Sequence, residues 1–346
     1  MRRVLIKRTL LSLLCILFLL AVWKHELISY GIGQANGQLK IIFGARPISE
    51  VLHDPEVADT IKQKLILIQE IRQFAFDSLG INESENYTTF YDQKGKPLLW
   101  VVTGSEPYAL KAKKWKFPLL GSFSYKGYFD LEKAKNEELL LKAQKYDTHI
   151  GTVSGWSTLG WLKDPVLSGM LKRNEGELTN LIIHELTHGT LFVKDSVEFN
   201  ENLASFIGDK GAEKFLAYKF GKDSEEYKKY IKKFEDHKRF TDHVLNGAVL
   251  LDTLYSSFKE NDPEEVKFNK KHELILNITS GIDTIAFNNP GYYQNYFNRR
   301  NPNNTFFMSY LRYSSKLDNF EYEYRVKYKS DLKKYLEHLK SVYPSL

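Results

Sequence analysis

Residues 174–192 read NEGELTNLIIHELTHGTLF. No other stretch constrains the fold as tightly, because one helix is asked to carry two histidines and a glutamate among apolar neighbours. His184 and His188 are four residues apart, so on a helix they share a face and can both direct an imidazole nitrogen at one metal ion. Glu185 is offset by one position, where a carboxylate can take a proton from a water held by that ion. Asn174 and Glu177 stand at capping-box spacing and start the helix, while Leu178, Leu181, Ile182 and Leu186 give it an apolar side. A bland alternative is two surface histidines on an amphipathic helix. Ile182, Ile183 and Leu186 argue against it, since buried imidazoles and a buried carboxylate need a partner to offset desolvation. The spacing predicts a metal site, with zinc as the ion.

A catalytic zinc site uses three protein ligands and keeps one position open. The longer pattern HExxHxxGxxH is absent, because Leu191 stands at its glycine and Lys194 at its third histidine. The candidate third ligand is Glu201, thirteen residues after His188, in FNENLA. Asp195 and Glu198 have capping-box spacing, which predicts a turn at 195–197 and a second helix through Glu201 to Tyr218. Two antiparallel helices would bring Glu201 back over the histidines, and Ala204, Ser205 and Gly208 are small enough for close approach. Glu198 is the nearest rival ligand.

Around this pair the chain reads as α+β and mostly helical, with a small sheet expected to pack on the HExxH helix. Helices are predicted over 29–43, 48–79 (closed by Gly80), 131–146, 178–257, 263–278 and 331–342. Strands are predicted at 98–103, 121–129 and 148–153, and the Asn- and Tyr-rich stretch 288–304 reads as an irregular loop. Tyr125 and Tyr128 on the second strand could line a cleft and stabilise an oxyanion, or simply pack. The N-terminus differs from the rest. Arg2, Arg3, Lys7 and Arg8 supply four of the net charge of +6, and Thr9–Trp23 carries no charge. A signal-anchor helix over 1–23 and a cleaved signal peptide both fit. Leu19 is too large for the usual cleavage rule at Ala21, which favours the anchor. Either way the basic residues stay cytoplasmic, and residues 24–346 are expected outside the cytoplasm at the cell membrane. Within them, 24–96 reads as a helical N-terminal part, 97–220 as the catalytic core and 221–346 as a helical C-terminal part. With so little charge left over, no basic stripe marks a nucleic-acid partner. Cys15, the single cysteine, excludes an internal disulfide and a Cys-rich zinc site.

HELTH with a downstream NE dipeptide resembles the glutamate-zincin type of metallopeptidase. More closely, the chain resembles a bacterial family of predicted aminopeptidases. The resemblance is carried by Gly37-Gln38-Leu39 with Arg46-Pro47-Ile48, by Trp115 to Phe129, by Ser157 to Trp161 with Asp164-Pro165, by His184 to His188 and by Phe199-Asn200-Glu201. It implies a zincin-like fold, zinc held by His184, His188 and Glu201, Glu185 as the catalytic base, a peptide substrate and a membrane-anchored enzyme. The chain departs from related patterns at Ser205, where thermolysin-like enzymes have an aspartate, and it has no GxMxN exopeptidase motif. Two rival readings are a non-catalytic, peptide-binding or structural membrane protein with a vestigial zinc site, and a zinc amidase acting on non-peptide amides.

Overall fold

The computed structural model describes Lys7 and residues 24–117, 121–153, 155, 163–293, 296–297 and 300–345. The candidate membrane segment, apart from Lys7, and the Ser157–Trp161 segment therefore lie outside the described residues. Among the described residues no helix is long and apolar enough to cross a membrane. The chain divides into residues 1–44 and 45–346. In the first unit, helix α1 (His25–Gly44) starts four residues before the expected 29.

The second unit is α+β, with helices predominating. It opens with β1 (Arg46–Pro47), α2 (Ile48–His53), α3 (Asp59–Leu79), β2 (Thr89–Tyr91), β3 (Trp100–Ser105), β4 (Trp115–Phe117), β5 (Gly121–Phe123) and β6 (Tyr125–Tyr128). It continues with α4 (Leu131–Ala143), β7 (Asp147–Thr152), β8 (Val166–Leu167), α5 (Glu175–His188), α6 (Val197–Phe220), α7 (Glu225–Ser257) and α8 (Glu264–Ser280). It closes with the short α9 (Pro290–Tyr293), α10 (Asn304–Ser314), α11 (Leu317–Val326) and α12 (Leu332–Val342).

Several expected boundaries move for identifiable reasons. The helix expected over 48–79 is two, because Pro55 cannot continue the first and Asp54 leaves it in extended conformation. The segment expected as one strand over 121–129 breaks at Ser124. β5 forms a hairpin with β4, and β6 pairs with β3, Trp100 opposite Tyr128. The loop expected over 288–304 contains α9 and ends in α10, which starts where the Asn303 side chain accepts the Thr305 N–H at 2.9 Å.

The sheet expectation needs a larger correction. Three small sheets form, ordered β1-β2-β8, β6-β3-β7 and β4-β5. The β6-β3-β7 sheet packs on α4 and α10, whereas α5 packs chiefly on α6, α3 and α7. The cause is that Leu178, Ile182, Ile183 and Leu186 are all buried, so α5 needs helices on more than one side. The face predicted for α3, Leu65, Ile68, Ile71 and Ala75, is buried in the same core, as are Leu203, Phe206 and Ile207 of α6. Each of the leucine, isoleucine and phenylalanine side chains contributes about 1.5–3 kcal/mol of transfer free energy. The expected close approach of α6 is found at Gly208, where a Cβ would lie 3.0 Å from the Asn180 carbonyl oxygen and 3.3 Å from the His184 Cβ. A second cluster joins Phe240, Val244 and Leu251 of α7 to Ile275 of α8 and Phe307 of α10. Buried Asp236 of α7 accepts the N–H groups of Asn288 and Asn289 at 2.6 and 2.8 Å, fixing the start of the Asn-rich stretch.

Candidate metal centre

α5 begins as the sequence predicts. The Asn174 side chain accepts the Glu177 N–H at 2.9 Å. The reciprocal half of the capping box is missing, because Glu177 pairs instead with Lys233. His184 and His188 lie on one face at the far end of α5, with ring centroids 4.9 Å apart and planes at 85°.

The turn to α6 differs from the expected capping box. Asp195 has φ +57°, and its carboxylate accepts the Ser122 N–H at 3.2 Å, so it does not cap α6. Asn200 holds the turn instead, accepting the Val193 N–H and donating to the Val193 carbonyl, both at 2.8 Å. With the turn so tied, the second turn of α6 delivers Glu201 to the histidines. One oxygen of Glu201 lies 3.4 Å from Nε2 of His184 and 3.4 Å from Nε2 of His188. The side chains of the three residues are only 16%, 8% and 12% exposed, in the order His184, His188, Glu201. Glu198, the rival ligand, is turned outward. It is 54% exposed and pairs with Lys316 at 3.3 Å.

The three ligand atoms lie within 4.8 Å of one another and could hold a metal ion. The separations fit that purpose better than hydrogen bonding. At 3.4 Å both contacts are longer than a good N–H···O bond, yet two ligands at ~2.05 Å in tetrahedral array stand about 3.3 Å apart. In addition, Nδ1 of His188 is buried and has no partner among the described residues. An imidazole buried with both nitrogens poorly satisfied is costly unless an ion takes one of them.

Electrostatics reinforce the grouping. Burial alone would raise Glu201, but the His188 and His184 imidazoles hold its carboxyl well below the usual range. Burial would lower His188, and Glu201 overrides it, so the imidazole is raised. Glu185 makes no hydrogen bond or ion pair with the described residues.

Three neighbours of the site could not be anticipated from local spacing. Gly155, beyond the end of β7, lies so close to Glu185 that a Cβ there would overlap the carboxylate and come within 3.1 Å of Cγ. Gly155→Ala is therefore expected to keep the metal and lower turnover about 10-fold or more by displacing Glu185, since misplacements near 1 Å cost up to ~10²-fold. Metal content and steady-state rates on the same preparation check this; unchanged rates would mean that Glu185 adapts.

Asn202, wholly buried, follows Glu201 on α6. It donates to the Arg312 carbonyl at 2.6 Å and accepts the Lys316 N–H at 2.7 Å, docking the α10–α11 junction beside the ligand. That junction brings Tyr313 over the site, its ring centroid 6.5 Å from that of His184. Burial and the charge of Glu201 push the Tyr313 hydroxyl far up, so it remains a proton donor at any working pH.

Asp209, the third, lies partly buried about two turns along α6 from Glu201. It accepts the Asn180 side-chain N–H at 2.7 Å, and burial pushes its carboxyl up to about 7. Because the folded value lies above the unfolded one, stability is fullest below pH ~4 and falls as pH rises toward 7. Melting of metal-free wild type and Asp209→Asn from pH 5 to 8 should diverge by several degrees, the wild type losing more. Parallel curves would remove Asp209 as the titrating group.

A profile for a family described as "Putative aminopeptidase" matches residues 29–344. The chain belongs to this family. No curated protein and no solved structure matches it. Family membership supports a peptidase, and the His184–His188–Glu201 cluster is where a member of this kind can hold a metal. Of the two tyrosines singled out in this aminopeptidase-family chain, Tyr128 is buried in its sheet and donates to Glu137 at 2.7 Å, away from the ligands. Its place in β6 points it to the α4 side. Tyr125 lies at the margin, under the Arg312 guanidinium at 5.8 Å and near enough to influence Tyr313.

Proposed function

We propose that this chain is a zinc-dependent peptidase of glutamate-zincin type and zincin-like fold that removes N-terminal residues from peptides. Its catalytic unit lies outside the cytoplasm, tethered by residues 1–23. The observation that carries the reading is the division of labour on α5: two histidines converge with Glu201, while Glu185, between them in sequence, makes no hydrogen bond or ion pair with the described residues.

His184, His188 and Glu201 hold the ion. When bound, zinc supplies Lewis acidity toward the scissile carbonyl and lowers the pKa of a coordinated water toward ~7. Glu185 accepts the water proton at its carboxylate and returns it to the leaving amine nitrogen. Gly155 leaves room for that carboxylate. Tyr313, kept protonated, donates a hydrogen bond to the carbonyl oxygen as charge develops there, a role the sequence had suggested for Tyr125 or Tyr128.

The test is metal analysis and digestion of a peptide library by the full-length protein in detergent. One zinc per chain, release of N-terminal residues and loss of cleavage with chelator are expected. A reporter active only outside the cytoplasm, fused after Leu346, should be active. One zinc without cleavage of any peptide would favour the non-catalytic reading, and cleavage of non-peptide amides alone the amidase.

A further inference from the structure

The hairpin of β4 and β5 presents one face to the body of the protein. Trp115 stands opposite Phe123 and Phe117 opposite Gly121, so the four share a face, and Lys116 and Ser122 take the other. Both ends show which face is inward. Trp115 is buried, and its indole N–H donates to Glu137 of α4 at 2.7 Å, whereas Lys116 is exposed. Gly121 lies so close to Asp195 that a Cβ there would overlap the carboxylate. Phe117 and Phe123 are on this inward face, with ring centroids 6.1 Å apart, yet both residues stay partly exposed. Protein interiors are close-packed, so an inward ring that keeps exposed surface borders a gap.

Two sets of contacts join these rings to the metal centre. In the first, the Ser122 N–H donates to Asp195 at 3.2 Å, and Asp195 lies in the turn between the two ligand-bearing helices. In the second, Tyr125 has its ring 5.9 Å from that of Phe123 and lies under the Arg312 guanidinium at 5.8 Å. The Arg312 carbonyl is bound by Asn202, the residue after Glu201, at 2.6 Å. The next residue, Tyr313, has its ring 6.5 Å from that of His184. Phe123 is therefore flanked by both segments that border the ligands. Phenyl edges and faces suit an apolar side chain, above all an aromatic one, and offer nothing to offset the desolvation of a charge.

We propose that Phe117 and Phe123 form an apolar subsite of the substrate cleft, and that the preferred substrates carry a large apolar residue, aromatic or aliphatic, beside the bond cut. The second half rests on the peptidase reading. Glu137 and Asp195 hold the hairpin near its two ends and so fix the subsite relative to the ligands. The two rings meet edge to face, at 61°, so an entering side chain finds a ring face and a ring edge together.

The experiment uses the full-length, zinc-loaded protein in detergent and a set of tripeptides. Phenylalanine, leucine, alanine, glutamate or lysine occupies the first or the second position, and alanine the others. Affinities are measured by calorimetry in Glu185→Gln, alone and combined with Phe123→Ala or Phe117→Ala, so that turnover does not interfere. Rates are measured in wild type, Phe123→Ala, Phe123→Leu and Phe117→Ala. At one of the two positions phenylalanine and leucine should be favoured over alanine at least ~10-fold, in affinity and in kcat/KM. Phe123→Ala should cut that preference at least ~5-fold, and Phe123→Leu should retain part of it. Equal binding of all the peptides overturns the proposal, as does binding of none or a preference for glutamate or lysine. A preference that persists unchanged in both Phe123→Ala and Phe117→Ala also overturns it. An equal fall for every peptide in Phe123→Ala overturns it by showing that the ring only supports the hairpin. The two readings fail separately: cleavage without selection keeps the peptidase and removes the subsite, whereas apolar-selective binding that Phe123→Ala abolishes, without cleavage, does the reverse.

Discussion

Glu185→Gln keeps its zinc and its fold and loses at least ~100-fold in turnover, because general-base contributions run ~10²–10⁴-fold. The metal is retained because the ligand atoms come from His184, His188 and Glu201, and Glu185 is not among them. Packing is retained because glutamine has nearly the volume of glutamate, and Glu185 has no hydrogen bond or ion pair with the described residues to lose. What glutamine lacks is a basic oxygen. The measurement is the rate on one cleaved peptide at matched zinc content. Equal rates would remove Glu185 as the base and return the non-catalytic reading to first place.

Glu201→Ala has the larger effect on the metal itself. A group that only orients a ligand changes affinity about 10–100-fold, so removing a ligand should cost at least ~100-fold. The substitution also leaves two imidazoles, 16% and 8% exposed, without the carboxylate that both of them face. Competition against a zinc chelator of known affinity reads the loss. Glu198→Ala is the control, because Glu198 is exposed and engaged with Lys316, and it should leave affinity unchanged. Zinc retained at wild-type affinity in Glu201→Ala would remove Glu201 from the ligand set.

The grouping of His184, His188 and Glu201 was legible in the sequence because their relation is local. A helix places positions four apart together whatever surrounds it, and a short connection can return only to the neighbourhood it left. The α3 face and its Gly80 stop were legible for the same reason, with φ +78° at the glycine. Tyr313 and Gly155 were not, because each reaches the site through contacts distant in sequence. Tyr313 arrives by way of Asn202, 111 positions before it, binding the end of α10. A signal was present in the second asparagine of Asn200-Glu201-Asn202, although spacing alone does not say what its amide will bind. For Tyr128 the sequence left cleft lining and packing both open, because alternation along a strand says which side chains share a face and not what covers that face; here it is Glu137 of α4. Strands of two or three residues, such as β1, β4 and β8, carry no periodicity at all.

The three ligand atoms come from a single stretch, 184–201, closed by one tied turn. Contacts so near in sequence form early and at little loop-closure cost, so this hairpin can organise before the distant strands find one another. An ion there acts as a clasp on a local unit and is not a rivet between remote parts. Its removal should loosen amide protection around the turn and the start of α6, leaving the Phe240–Phe307 cluster closed. Metal supply during synthesis would then govern when the hairpin is finished, and the remaining chain would fold onto a half already set.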